Sequence, residues 1–132
     1  MEYKRDEHRV HLIVYHIIWC PRRRKKILTG EIATACEQAI REKAINKGWE
    51  ILELAMQADH IHLFIRVFPS VSASMVVKEL KGKTAHTLCQ RFPELRNKVP
   101  SVWTKSYFAS TAGNVSAETI QKYIEAQTSV HS

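Results

Sequence analysis

Two small groups of side chains could do chemistry that an ordinary protein surface does not need: His60 with His62, and Tyr123 with Gln127. Successive side chains of a strand point to opposite faces. If His60-Ile61-His62-Leu63-Phe64-Ile65-Arg66-Val67 is extended, His60, His62 and Phe64 share one face and Ile61, Leu63, Ile65 and Val67 the other. The apolar set has to face a core, so both imidazoles look away from it, within reach of a common metal ion or phosphate. Tyr123 and Gln127 stand at i and i+4; on a helix such residues lie on one side, roughly 6 Å apart, with Lys122 and Glu125 directed elsewhere. A nucleophilic phenol and an oxygen ligand could converge there. Each group also has an ordinary reading: two polar residues on a solvated strand face, and an aromatic packed on Ile120 and Ile124. Large barrel-shaped metal hydrolases use a His-x-His pair too, but that fold takes roughly 250 residues, and this chain has 132.

The elements that must carry these groups follow from period and punctuation. Residues 10–20, rich in Val, Ile, Tyr and Trp, read as a first strand ended by Pro21 and the basic run Arg22-Arg23-Arg24-Lys25-Lys26. Ile32, Ala35, Cys36, Ala39, Ile40 and Ala44 recur at helical spacing between a Thr29 cap and a Gly48 stop. Residues 49–56 and 60–67 form a hairpin turned at Asp59. A second helix opens at Ser72 with Met75, Val76, Leu80, Ala85, Leu88 and Cys89 as its apolar stripe, weakened but not ended by Gly82, and runs to Pro93. A polar loop, a fourth strand over residues 102–110, the joint Gly113-Asn114 and a last helix from Ser116, about residues 116–130, complete the chain. The order βαββαβ, then α, predicts an α+β fold: a ferredoxin-like, RRM-like split βαβ arrangement, its antiparallel sheet carrying helices on one face. The expectation is one domain over residues 1–132.

Lys and Arg outnumber Asp and Glu by 20 to 13, a formal charge of +7, which favours a polyanionic partner without proving one. Cys20, Cys36 and Cys89 are odd in number and widely spaced, so neither a disulfide framework nor a zinc ribbon is indicated. The N-terminus is charged, and the apolar stretch of residues 12–20 is interrupted by His16 and too short to span a bilayer. A cytoplasmic location is expected.

Three segments together carry a family resemblance: Trp19-Cys20-Pro21-Arg22-Arg23-Arg24-Lys25-Lys26-Ile27-Leu28, Asp59-His60-Ile61-His62-Leu63, and Trp103-Thr104-Lys105-Ser106-Tyr107-Phe108 through Gly113 to Tyr123 and Gln127. In this order, over about residues 11–127, they resemble the HUH single-tyrosine transposases of insertion sequences that move as single-stranded DNA. The resemblance implies His60, His62 and Gln127 as metal ligands and Tyr123 as nucleophile. Arg23 is a departure, standing where many relatives have tyrosine, so the DNA contacts of the basic loop are expected to differ.

A phenol with a pKa of about 10 is a poor nucleophile at neutral pH, and a phosphodiester anion repels attack, so a divalent ion is needed. Imidazole and amide ligands with open positions suit Mg²⁺ or Mn²⁺. Attack by Tyr123 would give a 5′-phosphotyrosine and a free 3′-OH, exchanging the phosphodiester rather than hydrolysing it. The resemblance further implies hairpins near the transposon ends as DNA partner, and a homodimer in which the tyrosine helix of one subunit completes the histidine site of the other. Arg22, Arg23, Arg24, Lys25 and Lys26, with Arg41, Lys43, Lys47, Lys78, Lys81 and Lys83, are candidate phosphate contacts, and Trp19, Trp103 and Phe108 candidate base-stacking residues. The alternatives are a REP-associated tyrosine transposase acting on chromosomal repeats, and a non-catalytic single-strand-binding module of RRM-like shape.

Overall fold

The computed structural model describes residues 12–98, 101–111 and 117–127. The strand bearing the histidine pair, β3 (His60–Val67), lies inside a four-stranded sheet of order β2-β3-β1-β4, with β1 at Ile13–Trp19, β2 at Glu50–Gln57 and β4 at Phe108–Thr111. Every pairing is antiparallel, and β1 is flanked by β3 and β4. This is the split βαβ order expected, with the two crossovers made by α1 (Gly30–Lys47) and α2 (Ala73–Arg91).

One face of the sheet makes the core. Ile17 and Trp19 of β1 and Ile61, Leu63, Ile65 and Val67 of β3 are fully buried there, against Ala35, Cys36, Ile40 and Ala44 of α1 and Val76, Leu80 and Leu88 of α2. Burying one such aliphatic side chain is worth about 1.5–3 kcal/mol, which is what fixes the register of β3. A slip of one residue would send the histidines inward and the aliphatics to water.

The helix ends obey local chemistry. Gly48, at φ 75°, terminates α1, its N–H bonding the Ile45 carbonyl while Trp49 N–H bonds that of Ala44, the glycine-dependent helix stop. Ser72 caps α2 by accepting from Met75 N–H at 3.1 Å. The bulge between Ile51 and Glu53 in β2 puts Leu52 in solvent.

Four expectations are corrected. Residues 93–98, read as loop, include a short helix, α3 (Pro93–Lys98); proline suits a first helical turn as well as a stop. Met75 is exposed, and the buried stripe of α2 runs through Val77 and Thr84 instead. The fourth strand begins only at Phe108, because the backbone before it is spent elsewhere: Arg22 N–H bonds Val102, Thr104 N–H bonds Cys20, and the Lys81 ammonium takes the carbonyls of Thr104 and Ser106. Trp19 and Trp103 are no base-stacking surface. They pack edge to face in the core at 6.0 Å, and Trp103 Nε1 donates to buried Thr84 Oγ1 at 3.0 Å. The start of the first predicted strand, the Gly113-Asn114 joint, the Ser116 cap and the helix end after Gln127 lie outside the described residues.

Candidate active site

Alternation along β3 puts His60 and His62 on the face away from α1 and α2, with ring centroids 4.9 Å apart. Each ring is held through Nδ1. His60 Nδ1 is 2.7 Å from Asp59 Oδ1, and Asp59 Oδ2 is 2.8 Å from Arg24 Nε. His62 Nδ1 is 3.3 Å from Nε2 of His16 on β1, a buried histidine stacked at 4.2 Å on Phe64. Both rings are thereby anchored with Nε2 as the nitrogen left to meet a ligand. Burial, and then the neighbouring His60 and His16, hold the His62 pKa down to about 4, so the ring is neutral near pH 7 and fit to coordinate. Burial lowers His16 as well, with Glu53 opposing.

Tyr123 belongs to α4 (Ala117–Ala126) and lies half-buried with its ring 6.0 Å from that of Phe108. Its hydroxyl is 3.3 Å from Ser106 Oγ, which donates to Gln127 Oε1 at 2.9 Å; Gln127 Nε2 donates back to the Tyr123 carbonyl at 3.1 Å. Tyr123 and the buried Gln127 thus share the inward side of the segment, while Lys122 and Glu125 are exposed. Burial raises the Tyr123 pKa, the Ser106 and Thr104 hydroxyls working against it and Cys20 adding to it. In this position the phenol is protonated and docked.

Among the described residues no hydrogen bond or ring contact joins Tyr123 or Gln127 to either histidine. Register explains the gap: His62 pairs with Ile18, which pairs with Phe108, so the imidazoles and the tyrosine's neighbour lie along one row on the same face with β1 between them. Two strand spacings amount to about 10 Å. Two imidazoles held through Nδ1 with Nε2 outward are donors that suit a divalent ion. Among the described residues no three His, Cys, Asp or Glu side chains converge on a metal position.

In the basic loop, Arg22–Arg24 form a 3-10 turn with Arg23 at φ 57° and Arg24 at φ 53°, a conformation non-glycine residues seldom adopt. Arg23, Lys25 and Lys26 are exposed and Arg22 half-buried, whereas Arg24 turns in to Asp59. Lys43 and Lys47 share Glu79, and Arg41 pairs with Glu37. Lys81 is corrected as a phosphate contact, since it points inward and clamps the 104–106 segment. Two residues that sequence reasoning did not select touch these groups: His16, against His62, and Ser106, against Tyr123 and Gln127. Nothing in the linear sequence marks them, because each acts through a contact set by register or tertiary packing.

A split βαβ sheet bearing an outward His-x-His pair and a helix-borne tyrosine is what the resemblance to the single-tyrosine transposases implied. The family model "Transposase IS200 like" matches residues 9–127. The chain is 33% identical over 129 residues to the ISDra2 transposase TnpA of Deinococcus radiodurans, spanning 96% of this chain and 92% of that protein. It is 34% identical over 115 residues to the transposase for insertion sequence element IS200 of Salmonella typhimurium, spanning 86% and 75%. A crystal structure of a Deinococcus radiodurans protein assigned as a transposase superposes with a TM-score of 0.85 at 30% identity, over 95% of this chain and 98% of that one. A REP-associated tyrosine transposase bound to a REP hairpin shares the fold, with a TM-score of 0.59 at 15% identity over 95% and 69%. The chain belongs to the IS200-like transposase family, enzymes that use a tyrosine nucleophile.

Proposed function

We propose that this transposase cuts and rejoins single-stranded DNA at insertion-sequence ends, with Tyr123 as nucleophile and His60, His62 and Gln127 as ligands of Mg²⁺ or Mn²⁺. The observation that carries the reading is the paired anchoring of His60 and His62 through Nδ1, which leaves both Nε2 atoms on the side of the sheet away from the helices. A bound divalent ion would neutralise charge on the scissile phosphate. The Tyr123 oxygen attacks phosphorus, its proton passing to solvent; a phosphotyrosine bond forms, the bond to the 3′ oxygen breaks, and that oxygen leaves protonated as a 3′-OH. Attack by a 3′-OH from another end reverses the step and restores the phenol, so joining needs no ATP.

The partner is single-stranded DNA carrying a hairpin, a reading supported by the hairpin complex of the fold relative and by the exposed Arg23, Lys25 and Lys26. Because Tyr123 is docked across β1 from the histidines of its own chain, the protein works as a homodimer whose composite sites pair one subunit's imidazoles with the other's tyrosine helix. It acts in the cytoplasm as a single domain; among the described residues no helix is long and apolar enough to cross a membrane.

The test incubates the protein with end-labelled hairpin DNA and Mn²⁺ and looks for a denaturant-resistant adduct. Wild type should give it, and Tyr123→Phe should bind DNA without it. Binding with no adduct from the wild type would refute the reading in favour of a binding module. A heterodimer of Tyr123→Phe and His62→Ala subunits keeps one complete site only if the sites are shared, so total inactivity argues against shared sites.

A further inference from the structure

We infer that His16 is a positioning residue: its Nε2 accepts the Nδ1–H of His62 and thereby fixes His62 in the tautomer whose Nε2 is free to bind the ion. The inference rests on the metal-site reading above and adds a residue that the reading does not contain.

His16 stands on β1, only 4% exposed, and its ring plane is set by stacking at 12° on Phe64. Its Nε2 lies 3.3 Å from His62 Nδ1. Two neutral imidazoles in contact share one proton along that line, so one ring donates and the other accepts. If His16 donated, His62 would carry its proton on Nε2 and could not coordinate through that atom. If His62 donates, its Nε2 lone pair faces outward, matching His60. For His60 the choice is forced, because its partner is the carboxylate of Asp59, which only accepts. For His62 the partner is another imidazole, so the tautomer of His16 decides.

The form of His16 protonated on Nδ1 is the one whose Nε2 can accept from His62. Directly across on β4 lies Ser110, whose buried hydroxyl makes no hydrogen bond among the described residues. On the other side the row continues through Phe64 to the carboxylate-bearing Glu53. Partners of this kind behind a metal-binding histidine set ring orientation and basicity, and losing one typically costs 10–100-fold in affinity.

Long-range ¹⁵N–¹H NMR on the ring-labelled, metal-free dimer at pH 7.5 reads the proton on His62 directly. The expected result is Nδ1–H in wild type and in His16→Gln, whose amide oxygen can still accept, and a shift toward Nε2–H in His16→Phe, which keeps the stack on Phe64 and loses the acceptor. Mn²⁺ titration should show binding weakened by about 10–100-fold in His16→Phe and restored to within a few-fold of wild type in His16→Gln. A wild-type His62 protonated on Nε2 overturns the inference even if no variant folds. So does Nδ1–H persisting in His16→Phe, or Mn²⁺ binding there at wild-type strength. A wild type that binds no Mn²⁺ would instead sink the metal reading, and the inference with it as a statement about metal binding.

Discussion

Replacing Ser106 by alanine should make the enzyme faster. The Ser106 hydroxyl holds the proposed nucleophile and the proposed amide ligand, accepting from the Tyr123 phenol at 3.3 Å and donating to the Gln127 amide oxygen at 2.9 Å. That oxygen is the one proposed as metal ligand, so in this pose both nucleophile and ligand are engaged away from the histidines. The loop survives the change, since the Ser106 carbonyl stays bonded to Lys81 Nζ and Thr104 Oγ1. A bond of good length is worth about 1 kcal/mol net and a long, exposed one about 0.5 kcal/mol, so the variant loses about 1.5 kcal/mol of docking energy. If Tyr123 must leave Ser106 before it meets a phosphate, the barrier drops by that amount and adduct formation rises by up to roughly tenfold. The assay is single-turnover adduct formation on labelled hairpin DNA with saturating Mn²⁺, quenched in denaturant and resolved on a gel, with DNA affinity measured separately. Ser106→Thr, which keeps a hydroxyl, should stay near wild type. An alanine variant that binds DNA normally but forms adduct more slowly would refute the reasoning, for the hydroxyl would then serve the reaction itself.

Thr84→Val removes the acceptor for Trp103 Nε1 and leaves a buried N–H unbonded, so denaturant unfolding should show a loss of about 1–3 kcal/mol. Lys81→Met frees the Thr104 and Ser106 carbonyls; stability should fall by about 1–2 kcal/mol after the ammonium's lost desolvation is credited, and backbone amides of 104–107 should exchange faster with deuterium. His62 binds its proton more weakly when folded, its pKa falling from 6.5 to about 4. The unfolded chain therefore takes up the proton first, and stability present above pH 6.5 is lost as pH falls toward 4. Because the ring is only partly buried, the loss is discounted to about 1–2 kcal/mol; His62→Gln should flatten this limb in urea titrations of the metal-free protein, and an unchanged slope would count against it.

What sequence reading caught and missed follows from the range of the forces involved. The outward pose of His60 and His62 was legible because it depends only on alternation along β3 and the burial of Ile61, Leu63, Ile65 and Val67. The span of α1 was legible from its stripe and Gly48. The late start of β4 was not, since Val102, Trp103 and Thr104 have strand-forming side chains and only the tertiary bonds of Arg22, Cys20 and Lys81 remove them from the ladder. His16 read as an interruption in an apolar run, because its meaning comes from a neighbour 46 residues away. Ser106 stands 17 residues before Tyr123, and no periodicity links them.

Asp59 sits at the tip of a hairpin and serves two masters, one oxygen on an imidazole and the other on a guanidinium. That guanidinium belongs to the most cationic stretch of the polypeptide. A nucleic-acid strand drawing Arg24 toward itself would strip the carboxylate of its counter-charge and leave its whole negative character to His60, making that ring a stronger electron donor. Arrival of DNA would then be felt at the nitrogen proposed to hold the ion, without any movement of the backbone.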